Sequence, residues 1–467
     1  MEKKDRGKAK RFFLFLGIYI FLLLIFTNNI LAAEKLPVLR VGIFLNQTKI
    51  NIGGDGTFKI YNLKSNSLVS EERNKIIKLL AHDKGIEISG IGVYSGPIKI
   101  IPAGNTKVIV VVNGQKYRYR GNIEINIDID KEYRKLNIIN IIGIEEYLYG
   151  VLKKEISPRW PAEALKAQAV AARTFAIFNM NKYIDKGYNI CASTNSQAYG
   201  GVNHEDPLTN RAIDETRGMI IAYKGKPINA VYHSDSGGYT EDSENVWGSF
   251  LPYLRSVKSK FEEKVSPPHH TWTCSIDEKD LTKKLQKQGY KVNSIVSIEP
   301  VKKSETGRIS ELVFIIDNNE VINMKANDFR SLIGADLIRS TLFNIKVIGK
   351  EINIAKDTED KKEIEDKKEQ GESMKEILEQ KKDWTIKELL ELMMKRKEER
   401  EKEKAEKIPE VEIVKSNTPL TFIFSGSGNG HGVGMSQWGA YGMALQGSSY
   451  QDILKYYYQG INIIKKY

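Results

Sequence analysis

His233-Ser234-Asp235-Ser236-Gly237-Gly238 is a run in which hydroxyls and backbone amides converge without β-carbon bulk at its end, suiting close approach to a polar ligand such as a sugar. A tight turn would call for the same glycines. Trp247, a short distance on, could stack on such a ring. His431 lies between Gly430 and Gly432, where an unusual backbone path can present an imidazole as hydrogen-bond partner. Lys166 and Arg173 are seven positions apart in a stretch that reads as helix, so they share a face two turns apart and can pair with carboxylate or hydroxyl groups. A solvated helix face is the plainer reading of the two cations, as a surface acid is of Glu155 beside Lys153 and Lys154. Gly426-Ser427-Gly428-Asn429-Gly430-His431-Gly432 lacks the Lys-Ser/Thr of a phosphate-binding loop and reads as a flexible loop.

The elements that must hold these residues are legible in outline. The chain has 467 residues, 41% hydrophobic, enough for two or three folded units. From 36 to 144 it reads as short strands, clearest in the period-2 alternation of Ile123-Glu124-Ile125-Asn126-Ile127, with Asn113-Gly114 as a two-residue hairpin turn and serial antiparallel pairing as the expected outcome. An alanine-rich helix then runs from Pro161 to Ile177 with Leu165, Ala169, Ala172 and Ala176 on its apolar face. Mixed strands and turns follow to Gly349, giving an α+β fold: a β-rich body carrying an alanine-rich helix. Of the 52 residues from 356 to 407, 34 are charged, which reads as a long solvated helix or a helix with disordered flanks, inserted before a last stretch at 418–467.

At the amino terminus Lys3, Lys4, Arg6, Lys8, Lys10 and Arg11 precede the apolar run Phe12 to Phe26, so residues 1–33 read as an export signal or a membrane-anchoring hydrophobic helix. An extracytoplasmic protein, held at the cytoplasmic membrane or secreted if the segment is cleaved, is expected. The net charge of +12 suits an anionic polymer or membrane, but the basic residues are dispersed, no nucleic-acid reader motif is present and export points away from DNA.

The stretch from Glu145-Glu146-Tyr147 through Glu155-Ile156-Ser157-Pro158-Arg159-Trp160-Pro161 to Ala171-Ala172-Arg173-Thr174 resembles the family of stage II sporulation protein D and the amidase enhancers of bacterial cell walls. Three further blocks extend the resemblance: Ser196-Gln197-Ala198-Tyr199-Gly200-Gly201; His233 to Glu241 with Val246-Trp247-Gly248; and Gly430-His431-Gly432-Val433-Gly434-Met435-Ser436-Gln437-Trp438. It covers roughly residues 36–350 and 418–467, with 36–144 as the β-rich part and 145–350 plus the last stretch as the catalytic core.

The resemblance implies a lytic transglycosylase acting on peptidoglycan glycan strands, chiefly peptide-stripped ones, in company with a cell-wall amidase. Glu155 matches the family's catalytic glutamate, a single general acid and base. Lys166 and Arg173 match groove positions. Gln197, Tyr199, His233, Ser234, Ser236, Gly237, Gly238, Thr240, Trp247, His431, Ser436 and Gln437 fall in the matching blocks as substrate-binding candidates. The alternative is a glycan-binding enhancer of a partner amidase that cleaves nothing. Some family members bind zinc through a histidine and second cysteine just after the first; here Cys191 is followed by Asn195 and Ser196 instead, so no metal and no cofactor is expected.

Overall fold

The alternating strands form two sheets because each buries one apolar face. The computed structural model describes residues 36–128, 134–317, 320–349 and 420–467. One sheet orders Ile190–Cys191, Val38–Gln47, Lys135–Gly143, Asn122–Asp128, Ile98–Pro102, Thr57–Asn62 and Ser67–Arg73. The other orders Gln115–Tyr119, Val108–Val112, Lys49–Gly54, Ile76–His82, Gly85–Ile88 and Gly92–Tyr94. Leu39, Val41 and Ile125 from the first and Ile50, Ile52 and Val110 from the second share one core. Pairing is serial only in places. The chain moves between sheets, so Lys49–Gly54 lies between Val108–Val112 and Ile76–His82 rather than beside its sequence neighbours. At Asn113-Gly114 the expected turn closes: Val112 pairs Gln115, with φ of 49° and 81° at the two turn residues.

The strand Lys135–Gly143 runs directly into helix α1 (Ile144–Glu155), whose Ile144, Leu148, Val151 and Leu152 enter the same core at about 1.5–3 kcal/mol each. The β-rich part therefore fixes where α1 ends, at Glu155. Helix α2 (Ala162–Phe178) follows, and its burial is wider than a single apolar stripe. Ala169, Ala172 and Ala176 join the first core, while Ala167, Val170 and Ala171 join a second with Val433, Met435, Ala440, Tyr457 and Tyr458. Alanine on both sides lets two bodies approach one helix.

Helices α3 (Pro207–Glu215) and α4 (Ser243–Trp247) frame the middle of the chain, and α5 (Glu278–Lys287) and α6 (Ala326–Ile333) pack on a third core built by strands between Thr271 and Ile348 with Thr421–Ser427. The last helices are α7 (Gln437–Leu445) and α8 (Tyr450–Tyr457). The fold is α+β, with eight α-helices among the described residues. None of those is long and apolar enough to cross a membrane. The hydrophobic segment at 1–33 and the charged insertion at 356–407 lie outside the described residues. The insertion's two flanks nevertheless meet: Phe343–Ile348 pairs antiparallel with Thr421–Ser427, Ile348 opposite Thr421 and Phe343 opposite Gly426. The last motif thus enters the fold from an ordinary antiparallel strand pair.

Candidate active site

Glu155 ends α1 just before the Ser157–Pro161 break, on a partly buried shelf. Its carboxylate accepts hydrogen bonds from the Ala198 backbone N–H and the Tyr232 hydroxyl. Burial outweighs these bonds and the nearby Lys154 cation, pushing the carboxyl up to about 7. Tyr232 is itself held: Gln197 Nε2 donates to its hydroxyl at 3.1 Å and to the Ala172 carbonyl at 3.2 Å, while Tyr147 donates to Gln197 Oε1 at 3.2 Å. Gln197 therefore positions the tyrosine that holds the glutamate.

The third and fourth motifs meet in a short parallel pairing, Tyr232 with Met435 and His233 with Ser436. His431 accepts from the Val433 N–H at 3.1 Å and is hydrogen bonded to the Tyr232 backbone, so it stands across Tyr232 from Glu155 rather than on the carboxylate. Burial, with the Arg330 and Arg308 cations nearby, pushes its imidazole down to about 4. His233 is buried against it, ring centres 5.6 Å apart, with Nδ1 3.0 Å from the Val433 carbonyl. Burial, then His431 and Arg308, holds it well below the usual histidine range. Both imidazoles are neutral at pH 7. Trp247 is 44% exposed, its ring 5.2 Å from that of His431, open to a ligand.

Beneath this surface Glu262, fully buried, ties the motifs together. It accepts from Ser236 N at 3.0 Å, Ser236 Oγ at 2.7 Å, Gly238 N at 3.2 Å, Ser259 Oγ at 3.0 Å and Ser436 Oγ. Burial and neighbouring Asp235 raise its pKa. Asp235 accepts from Gly237 N at 2.9 Å and pairs His270 Nδ1 at 3.0 Å. Asp235, Glu262 and His270 approach one another closely enough for a cation, but five donors already occupy the Glu262 oxygens and the buried Arg308 lies nearby, so the set fits a hydrogen-bond hub better than a metal. Gly237 and Gly238 have φ of 73° and 112°, the left-handed region that this turn requires.

The structure separates the other candidates. Arg173 is fully enclosed and all its N–H groups face inward: Nε and Nη2 clasp Glu145 at 2.9 and 2.7 Å, and the remainder reach Thr216 and the Met219 and Ile213 carbonyls. Lys166 and Arg173 do lie on one side of α2, but α2 is buried nearly all round, so that side is the core at Arg173, whose guanidinium is spent on Glu145 and has nothing to offer a ligand. Lys166 is tied to Glu163 at 3.0 Å and Glu215 at 2.9 Å. Tyr199 is buried, donating to Asn140 at 2.8 Å. Thr240 is buried and bridges to Val257. Ser234 contributes its carbonyl to the Trp438 N–H, Ser436 caps α7 through the Gly439 N–H, and Gln437 donates to Gln168 on α2 at 3.4 Å. Cys191 faces hydroxyls, Ser193 at 3.2 Å and Ser196 at 3.4 Å, while Cys274 lies in the third core. Sequence reading missed Tyr232 and Glu262. Tyr232 adjoins the His233 block and could have been flagged there; nothing local marks Glu262.

The stretch that delivers Glu155 and folds α2 across it is also the one that a family model matches. Residues 132–223 match the model described as SpoIID, stage II sporulation protein. This chain carries a SpoIID domain. An uncharacterized protein of Brachyspira hyodysenteriae is 28% identical over 94% of this chain and 95% of its own length. The stage II sporulation protein D of Bacillus subtilis is 28% identical over 71% of this chain and 77% of its own length. The amidase enhancer of Bacillus subtilis is 28% identical over 68% of this chain, a match that spans 40% of that protein. The SpoIID domain contains α1, α2, Gln197 and α3. Tyr232 and the third and fourth motifs lie beyond residue 223 and complete the site from outside it.

Proposed function

We infer that this protein is a cell-wall protein that cuts peptidoglycan glycan strands as a lytic transglycosylase, with Glu155 as its one acid and base. The observation that carries the reading is a buried carboxyl pushed up to about 7 and held by the Ala198 N–H and the Tyr232 hydroxyl. Protonated Glu155 gives its proton to the glycosidic oxygen as that bond breaks. The carboxylate left behind then takes the proton of the sugar's own 6-hydroxyl as that oxygen attacks the anomeric carbon and closes a 1,6-anhydro ring. Neutral His233 and His431 place no competing positive charge against an oxocarbenium-like transition state. The amino-terminal segment, on this reading, exports the protein and holds it at the membrane, where it meets wall glycan.

The test is mass analysis of peptide-free glycan strands incubated with the protein and with Glu155→Gln. Anhydro-muramyl ends made by the wild type alone support the reading; new reducing ends mean hydrolysis by water. The similarity to an amidase enhancer favours one second reading, a glycan adaptor for a partner amidase. Absence of cleavage by either form, with equal amidase stimulation by both, would establish that reading instead.

A further inference from the structure

Along each strand of the second sheet, residues alternate between the core and the outside. Ile50, Ile52, Ile77, Leu79 and Val110 point inward, so their neighbours point outward. The register then sets those neighbours in rows across the sheet. Lys116, Val111, Asn51 and Lys78 form one row, and Lys49, Leu80, Glu87 and Val93 form the next. On the other side of the first row, Arg118 lies in line with Ile109, Gly53 and Ile76. Cations that are dispersed in the sequence are thus gathered on one face. Lys49, Lys78, Lys116 and Arg118 are all exposed, and Ile76 and Val93 stand among them, 42 and 43% exposed.

The first sheet treats its cations differently. There Arg40 pairs Glu124 at 2.6 Å and Lys59 pairs Glu71 at 3.5 Å. On the second sheet Arg118 reaches Asp55 at 3.8 Å, but Lys49, Lys78 and Lys116 have no acidic partner among the described residues, and Glu87 is the one acid in the three rows. Lysine on an edge strand commonly blocks the addition of a further strand, which accounts for Lys116. It does not account for Lys49 and Lys78, whose strands Lys49–Gly54 and Ile76–His82 lie side by side in the middle of the sheet. Unmatched charge there is a cost to the isolated sheet that an anionic surface relieves. A soluble polyanion would answer the charge alone. Exposed isoleucine and valine between the lysines gain only where the partner also has an apolar phase, as a bilayer does. The position agrees: the first strand of this β-rich body starts at Val38, no more than about 18 Å of chain from Ala33, where the apolar amino-terminal segment ends.

We propose that this sheet face docks on an anionic phospholipid surface, with Lys49, Lys78 and Lys116 meeting the headgroup phosphates. The proposal goes beyond the glycan-cutting reading and rests on it in one respect, the placing of the amino-terminal segment at a membrane. Because α1 is joined directly to the β-rich body, docking through this face holds the Glu155 site at a set orientation to the bilayer.

The test mixes the full chain with vesicles of phosphatidylglycerol and phosphatidylcholine in equal parts, and with vesicles of phosphatidylcholine alone. The rate of amine acetylation at each lysine is read by mass spectrometry. The four cations less Glu87 and Asp55 leave two net charges, which favour the anionic vesicles by about thirtyfold. Acetylation of Lys49, Lys78 and Lys116 slows there by about that factor, while Lys59 on the first sheet keeps its rate. With Lys78→Gln and Lys116→Gln in place, both on the exposed surface, Lys49 loses most of its protection. Equal rates in the two vesicles, slowing of Lys59 by the same factor, or protection of Lys49 that the two substitutions leave intact overturns the proposal. So does equal protection by long-chain polyphosphate without lipid, which assigns the face to a soluble polyanion. Cleavage of glycan strands is scored separately. Protection of this face without anhydro products defeats the cutting reading and leaves the docking surface standing; anhydro products without protection do the reverse.

Discussion

Replacing Glu155 by glutamine should stabilise the protein at alkaline pH and not at acid pH. Burial raises the carboxyl from an ordinary 4.5 to about 7 in the fold, so between those values the native state holds a proton that the unfolded chain has released. Native stability therefore falls as pH rises from 4.5 to about 7, and levels off above. At 1.36 kcal/mol per pH unit the loss is about 3 kcal/mol, somewhat less because the site is partly solvated. Glutamine keeps an oxygen for the Ala198 N–H and the Tyr232 hydroxyl but carries no charge to desolvate. Thermal unfolding of both forms at pH 4 and pH 8 reads this directly. Melting temperatures should agree at pH 4, and the variant should exceed the wild type by about 3–5 °C at pH 8. Equal melting temperatures at pH 8 would refute the reasoning, because they would mean that the ionised carboxylate is as well solvated in the fold as out of it.

Tyr232→Phe removes a bond that favours ionised Glu155, worth about 1.5–3 kcal/mol, so the upper limb of the activity profile should move from near pH 7 upward by about one to two pH units. An unmoved limb in anhydro-product assays would dissociate Tyr232 from the carboxyl. Arg173→Ala strands the buried Glu145 carboxylate and should cost about 3–5 kcal/mol in denaturant unfolding, against less than about 1 kcal/mol for Lys166→Ala. Comparable losses would contradict the contrast between an enclosed pair and a rim pair. Gly150→Ala would place a Cβ 2.6 Å from the Tyr199 ring and 2.9 Å from the Gly201 nitrogen, displacing α1 and with it Glu155; activity should fall further than stability, and unchanged turnover would show that α1 can give. Replacing residues 350–419 by a tight turn should leave the melting temperature within about 2 °C, since Ile348 and Thr421 are already paired; a collapse would assign the insertion a place in the core.

Local signals in the sequence were the ones read correctly. Asn113-Gly114 specifies its hairpin because both residues accept positive φ, and proline before an alanine run specifies the start of α2. The burial of α2 was not legible, because alanine scores as a mild apolar residue whether one side or all sides are covered. Arg173 shows the cost of that ambiguity: the family resemblance implies a groove cation and helical spacing puts it on a face with Lys166, yet its partner Glu145 lies 28 positions earlier at the start of α1, and the two charges only make sense inside the fold.

Glu262 carries the same lesson to the site itself. It lies 26 residues after Ser236 and 174 before Ser436, in a segment with no motif, and yet one carboxylate accepts from both. The glycine-rich turn and the last motif are thus separate in the sequence and joined at one buried acid, which no spacing rule connects to either. With Ser236 N, Gly238 N and three hydroxyls as donors, this acid ties the turn after His233 to Ser436 at the start of α7. The catalytic candidate could be found from a short stretch of chain; what raises its pKa is burial, to which the closing of two cores on α2 belongs, a property of the fold as a whole.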